Sequence, residues 1–178
     1  MGYTTEFFGR FELNKPLTPG LFQYLSDFAE SRHYNISPEL IMKIDKNWNE
    51  HCYLGDLGQK GQYYLTKFLP DYDIMHMSGD LKEEILKKGL TCNYNQTPED
   101  VPGLWCQWIP SDDNMGIEWD GGEKFYEYIA WIKFLIEHFL APNGYVVSGS
   151  VRWRGESFDD IGVIEVENNV VHERGIEW

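Results

Sequence analysis

Alternation of apolar and polar positions is the main signal in this chain, and it predicts two long, half-buried strands. In residues 3–13 the apolar side chains fall on one side and the charged ones largely on the other, but Phe8 breaks the charged side. Residues 145–154 alternate in the same way. Each strand is therefore expected to cover a core with one face and to meet solvent with the other.

Shorter β-prone runs predict two hairpins and one additional strand. The hairpin strands are expected at residues 104–109 with 115–119, and at residues 161–167 with 170–174. Turn-forming residues separate the members of each pair, at positions 110–114 and at Asn168-Asn169. The additional strand is expected over residues 62–68.

Apolar residues at helical spacing predict four helices. Their expected ranges are 18–33, 37–48, 78–88 and 123–140. Thr18-Pro19 and Ser37-Pro38 each combine an N-cap residue with a proline in the first turn. The elements together predict an α+β fold, in which an antiparallel sheet carries the long fourth helix on one face, with additional N-terminal helices. A chain of 178 residues suits one domain over 1–178.

Charge narrows the range of partners. The formal net charge is −14, from 29 acidic and 15 basic residues. This charge repels phosphate backbones and anionic lipids, so neither duplex DNA nor a membrane is expected as a partner. Acidity on this scale accompanies ordinary solubility, and it also suits a protein that covers a basic surface on a partner.

The placement of cysteines and histidines predicts a protein of a reducing compartment that has no metal site. Cys52, Cys92 and Cys106 stand in unrelated settings, which argues against a disulfide framework. The cysteines and histidines are scattered rather than placed at zinc-ligand spacing, and neither a metal nor another cofactor is expected. The first residues lack the basic start and apolar run of a signal peptide, which favours a cytoplasmic protein.

Tryptophan and arginine are concentrated in the β-rich half of the chain. Trp105, Trp119 and Trp153 occur in the predicted strands, and Arg152 and Arg154 flank Trp153. If these side chains share an open sheet face, they form a pocket with aromatic walls and a cationic rim, which suits a flat anionic ligand. The alternative is that the tryptophans belong to the core and the arginines pair with surface acids.

Asp120 is the remaining candidate for the ligand-binding site, and it has two other interpretations. It neighbours Glu118, and two carboxylates facing one cleft are the requirement for acid and base catalysis by a hydrolase. Because Asp120 precedes Gly121-Gly122 and a predicted helix, the sequence favours a structural role as a cap or turn former.

The chain contains the segments GLWCQW, IEWDGGEKFY and V-x-W-x-GE within residues 103–171, and TEFFGRFEL near the N-terminus. These four segments resemble those of a group of small uncharacterised proteins from bacterial and phage genomes. The resemblance implies a compact protein of a bacterial or phage-infected cell, with a part in host defence or counter-defence. The matched residues 103–171 lie in the β-rich core, predicted at 103–175, whereas the middle, from about 33 to 102, is individual to this chain.

The sequence favours a binding protein over an enzyme. The first hypothesis is a defence-related protein that sequesters a small nucleotide-like ligand with Trp105, Trp119, Asp120, Arg152, Trp153 and Arg154. The second is an acidic inhibitor, an immunity or anti-defence protein that binds a basic protein partner. The third is a carboxylate-dependent hydrolase.

Overall fold

The described chain divides into two compact units. The computed structural model describes residues 2–69 and 78–175. One unit combines the N-terminal segment up to Ala29 with the chain from Trp105 onward, and the other is Glu30–Leu104. The predicted α+β class is confirmed, because an antiparallel six-stranded sheet is combined with α-helices. That all 178 residues form one domain stays a prediction.

Eight strands and four α-helices are numbered here along the described residues. The strands are β1 Glu6–Leu13, β2 Asn35–Ile36, β3 Cys92–Asn93, β4 Trp108–Pro110, β5 Gly116–Trp119, β6 Val147–Arg154, β7 Ile161–Glu167 and β8 Val170–Gly175. The helices are α1 Pro19–Ala29, α2 Pro38–Ile44, α3 Gly79–Lys88 and α4 Tyr128–Leu135. None of the helices in the described ranges has the length and apolarity that crossing a membrane requires.

The first unit is built on the six-stranded sheet, whose order is β4-β5-β1-β6-β7-β8 with every neighbouring pair antiparallel. The alternation in β1 places Phe7 and Phe11 on the face that carries Trp108 and packs against α4, called the inner face here. Phe8 and Arg10 lie on the opposite, outer face. Because every strand pair is in register, this division into two faces runs across the whole sheet.

Aromatic rings fill the space between the inner face and the helices. The Phe7 ring lies 5.3 Å from Trp108 and 4.9 Å from Tyr128, measured between ring centroids. Phe28 of α1 meets Trp131 of α4 at 5.8 Å. Such edge-to-face contacts add to the stabilisation that comes from burying the rings.

The long helix begins later than the sequence predicts. The prediction placed its start at Glu123, but α4 starts at Tyr128, since Lys124 and Glu127 adopt left-handed φ values of 59° and 57°. The intervening Phe125 is buried against Phe7 and Trp108, so core packing of this ring competes with helix formation. Beyond Leu135 the helical path continues as a π-helix, Ile136–Leu140, and a 3₁₀ turn, Ala141–Asn143.

Other element boundaries differ as well. Helix α1 ends at Ala29 rather than near His33, and α2 ends at Ile44, ahead of a separate 3₁₀ turn at Trp48–Glu50. The predicted strand over 62–68 is wrong: this segment contains one isolated bridge, between Tyr64 and Cys52, and a 3₁₀ turn. Burial explains the apolar character of the segment, because Tyr64 and Leu65 enter a core as single side chains.

The second unit has a small core of its own. It contains α2, α3 and the two-stranded antiparallel sheet of β2 and β3. Its core residues are Tyr34, Ile36, Leu40, Ile41, Cys52, Leu57, Tyr64 and Leu69. Helix α3 has Ser78 as its N-cap, whose hydroxyl accepts a hydrogen bond from the Leu81 N–H, and it ends at the left-handed Gly89.

Candidate functional site

Trp153 lies on the inner face of the sheet. It is directly opposite Phe7 on β1 and Gly162 on β7, and its ring centroid is 6.1 Å from that of Tyr128. The indole occupies the space above Gly162, where an added Cβ would come within 2.5 Å of the ring. Its Nε1 is buried and has no hydrogen-bond acceptor among the described residues. Trp153 is therefore half-buried on the helix-covered face of the sheet.

Trp119 is on the same inner face, whereas Trp105 lies outside the strands. The Trp119 ring is 5.5 Å from Phe7, and its Nε1 donates a 3.1 Å hydrogen bond to Gln107 Oε1. Trp105 precedes β4 and is 44% exposed. The described structure thus gives the three tryptophans two different environments.

Arg152 and Arg154 project from the outer face. They alternate with Trp153 along β6, and successive side chains of a strand point to opposite faces. The structure therefore does not bring the two arginines together with Trp153 in one pocket. That the six predicted residues bind a ligand stays a prediction, and the geometry directs attention to the face that carries the arginines.

Asp120 makes the contact expected of a turn former. Its Oδ1 accepts a 2.7 Å hydrogen bond from the Gly122 N–H, directly after the end of β5. Partial burial raises the pKa of this carboxyl above its usual value. Glu118 lies on the outer face, opposite Arg10 of β1. The hydrolase hypothesis stays a prediction.

An exposed aromatic ring lies among the outer-face arginines. Phe8 is 50% exposed and stands directly opposite Arg152. The guanidinium of Arg154 is 5.7 Å from the Phe8 ring centroid, within the range of a cation–π contact. On the other side of Arg152 is Val163, which is only partly buried. We call Phe8, Arg152, Arg154 and Val163 the Phe8–arginine patch.

Three of the four outer-face arginines are held by carboxylates. Their ion pairs are Arg10 with Glu12 and Asp113, both at 2.8 Å, Arg154 with Glu6 at 2.5 Å, and Arg174 with Glu165 at 3.2 Å. Arg152 is exposed and has no ion pair or side-chain hydrogen bond within residues 2–69 and 78–175. Its charge is therefore available to an anion from solution.

The contacts of Asp113 include a bidentate ion pair with Arg10. Hydrogen bonds from the Ser111 hydroxyl, the Met115 N–H and the Arg10 guanidinium lower the pKa of Asp113 to about 2. Arg10 also reaches both carboxylate oxygens of Asp113, at 2.8 and 2.9 Å. The Arg10 side chain thus belongs to the β4–β5 turn rather than to a free anion site.

A second group of interacting titratable side chains is centred on Asp45 in the other unit. Asp45 Oδ2 accepts hydrogen bonds from the Tyr64 hydroxyl at 2.8 Å and from His51 Nδ1 at 2.7 Å. Burial opposes ionisation of Asp45, but these bonds outweigh it and leave its pKa below the usual value. The His51 ring stacks on Phe68 at 4.1 Å. The arrangement satisfies a partly buried carboxylate and fixes the histidine ring.

A groove in the second unit and the cysteines are weaker candidates for a site. A surface groove in the second unit is lined by Asp56, Gly58, Gln59, Gln62 and Tyr63, without a cation. The three cysteines are free thiols, and burial raises the pKa of Cys52 to about 11. The part of the chain that the structure describes contains no cluster of three side chains able to hold a metal ion.

Sequence reasoning identified Arg152 and Arg154 but did not assign Phe8 to the site. The available signal was the break that Phe8 makes in the charged side of β1, because a large apolar side chain on a solvent face is informative when it has charged neighbours. The pairing register between β1 and β6 is needed to place Phe8 beside Arg152.

Comparisons with known protein families, curated proteins and solved structures find no match for this chain.

Proposed function

We propose that the protein is a non-enzymatic binding protein that holds a small, flat, nucleotide-like anion at the Phe8–arginine patch. The observation that carries the proposal is the exposed, unpaired guanidinium of Arg152 directly beside the half-exposed ring of Phe8. The remaining contacts of the patch come from Arg154 and Val163. The proposal keeps Arg152 and Arg154 of the sequence-predicted site and replaces the tryptophan walls with Phe8.

Phe8 supplies a platform for a planar ring. Stacking of a base on an aromatic side chain is worth about 1–3 kcal/mol and depends little on the identity of the base. Val163, separated from Phe8 by the β6 strand, extends the apolar surface across the sheet. Because the sheet holds both side chains on the two regular strands that flank β6, the platform is formed before a ligand arrives.

Arg152 supplies the charge. A guanidinium binds a phosphate or carboxylate through two parallel hydrogen bonds, which adds orientation as well as energy. Among the arginines on the outer face of the described sheet, Arg152 is the one without a carboxylate partner. Arg152 gives an anionic ligand a local attraction directly beside the Phe8 ring.

The proposed biological role is sequestration of such a ligand in the cytoplasm of a bacterial or phage-infected cell. This part of the proposal rests on the sequence resemblance to bacterial and phage proteins. A binding protein without catalytic groups lowers the free concentration of its ligand in proportion to its own abundance. Such a role requires affinity and does not require turnover.

A binding screen tests the proposal. Isothermal titration with nucleosides and nucleotides of all four common RNA bases should give a saturable ligand, and Arg152→Gln and Phe8→Ala should each weaken it by about tenfold or more. Lys133→Gln is the matched control, since it removes one positive charge from the exposed side of α4 rather than from the outer face of the sheet. Equal affinity in wild type, Arg152→Gln and Phe8→Ala would contradict the proposal. A basic protein partner that is retained at low salt and released by salt would instead favour the inhibitor hypothesis.

A further inference from the structure

We infer that the Phe8–arginine patch selects ligands with a single phosphate group beside the flat ring, and thus nucleoside monophosphates over di- and triphosphates. This inference rests on the proposed function and adds the ligand class. It follows from the charges around Arg152 and from the distances that the strand register sets.

The number of free positive charges at the patch determines how many phosphate groups it can balance. Arg154, two residues along β6, is paired with Glu6, and Arg174, two strands away, is paired with Glu165. Each of these pairs is locally neutral. The patch therefore offers one uncompensated cation, and one phosphate group is enough to balance it.

Two carboxylates lie beside the patch on the outer face. Glu6 precedes Phe8 by one outer-face position of β1, and Glu165 follows Val163 by one outer-face position of β7. Residues two apart on a strand are about 6.7 Å apart, so both carboxylates border the patch. A second or third phosphate extending from Arg152 toward either side meets a guanidinium that a carboxylate already occupies, and the net charge of −14 repels each added negative charge.

The distance between the Phe8 ring and the Arg152 guanidinium limits which phosphate of a stacked nucleotide can be bound. Side chains directly opposite each other on antiparallel strands have Cβ atoms about 5 Å apart, and the arginine side chain extends beyond that. A base stacked on Phe8 is thus one strand away from the guanidinium that holds its phosphate. The α-phosphate of a nucleotide is the phosphate nearest to the base, which matches this short span.

The test is a titration of wild-type protein with adenosine, AMP, ADP and ATP, repeated with the guanine, cytosine and uracil series, in low salt and without divalent cations. The inference predicts that the monophosphate of the bound series is tighter than its nucleoside and about fivefold tighter than its triphosphate. A triphosphate that binds as tightly as the monophosphate, or tighter, would overturn the inference and leave the proposed function standing. If no nucleoside or nucleotide binds, the proposed function itself fails.

A charge-release variant tests the stated cause. Glu6→Gln combined with Glu165→Gln frees Arg154 and Arg174 without changing the size of either side chain, and both glutamates are exposed enough to be replaced without loss of the fold. The variant should bind triphosphate more tightly than wild type does and remove the preference for monophosphate. An unchanged preference would show that the carboxylates do not set it. Glu167→Gln, an outer-face carboxylate without an ion pair to these arginines, is the matched control.

Discussion

At the residue scale, one step along a strand decides the role of a side chain. Arg152, Trp153 and Arg154 are adjacent in sequence, yet the tryptophan packs in the core while both arginines meet solvent. The core accepts the indole because its cross-strand neighbour on β7 is Gly162. The face of the sheet on which a side chain lies therefore determines whether it is packed or available to a ligand, and proximity in sequence does not.

The space above Gly162 gives a prediction about stability. Gly162→Ala places a Cβ within 2.5 Å of the Trp153 ring, and overpacking of this kind should lower the free energy of unfolding by about 1–3 kcal/mol. Chemical denaturation followed by tryptophan fluorescence measures the change. Gly175→Ala is the matched control, because Gly175 is the cross-strand partner of Gly162 and an added Cβ there meets no atom within 4 Å. A loss of equal size in both variants would show that the indole does not occupy this space.

At the element scale, the segment before α4 shows tertiary packing overriding a helical pattern. The apolar periodicity continues back to Phe125, but that ring enters the aromatic core and the backbone turns out of the helix at Lys124 and Glu127. A residue other than glycine in a left-handed conformation costs about 1 kcal/mol or more, which the buried ring offsets. Helix α4 therefore starts at Tyr128, after the segment that burial of Phe125 holds outside the helical conformation.

Glycine substitution distinguishes this arrangement from a continuous helix. Glu127→Gly should leave the free energy of unfolding unchanged or raise it by up to about 1 kcal/mol, because glycine adopts positive φ without strain. Lys133→Gly, on the exposed side of α4, should lower it by about 1 kcal/mol as expected in a helix interior. If both variants lose the same stability, Glu127 is helical and the described start of α4 is wrong.

The β4–β5 turn gives a prediction about pH. The pKa of Asp113 is about 2 in the folded protein, below the usual value of 3.8, so the unfolded chain binds more protons between these values. The contribution of Asp113 is present above about pH 4 and is lost as the pH falls toward 2. Asp113→Asn should flatten the dependence of unfolding free energy on pH in that window. An equally steep dependence in the variant would contradict the assigned contacts of Asp113.

At the scale of the whole molecule, the sequence predicts the fold class and most of the sheet. Strands β1, β6 and β7 follow from alternation, since one side of each is more buried than the other. Strand β8 is exposed over most of its length and follows from the turn residues Asn168-Asn169 that precede it. The second unit is harder to predict because its core is filled by single side chains from short elements and loops, such as Tyr64 and Leu69. These segments are too short for a periodic pattern of apolar residues to be recognised in the sequence.

The candidate site follows from the sequence only in part. Residue types identified Arg152 and Arg154, but pairing with Phe8 depends on the register of strands more than 140 positions apart in the chain. The ion pairs that leave Arg152 alone depend on the same long-range register, as the contact between Arg154 and Glu6 shows. A single sequence contains no local signal for either property.

The most direct test of the account is a methyl NMR titration with the nucleotide that binds best in the screen, which shows which face of the sheet the ligand occupies. The account predicts shifts of the Val163 methyl groups on the outer face, while the buried inner-face methyl groups of Val151 and Ile164 stay in place. The shifts of Val163 should disappear in Arg152→Gln. Shifts confined to Val151 and Ile164 would contradict the account, because they would place the ligand on the helix-covered side among the tryptophans.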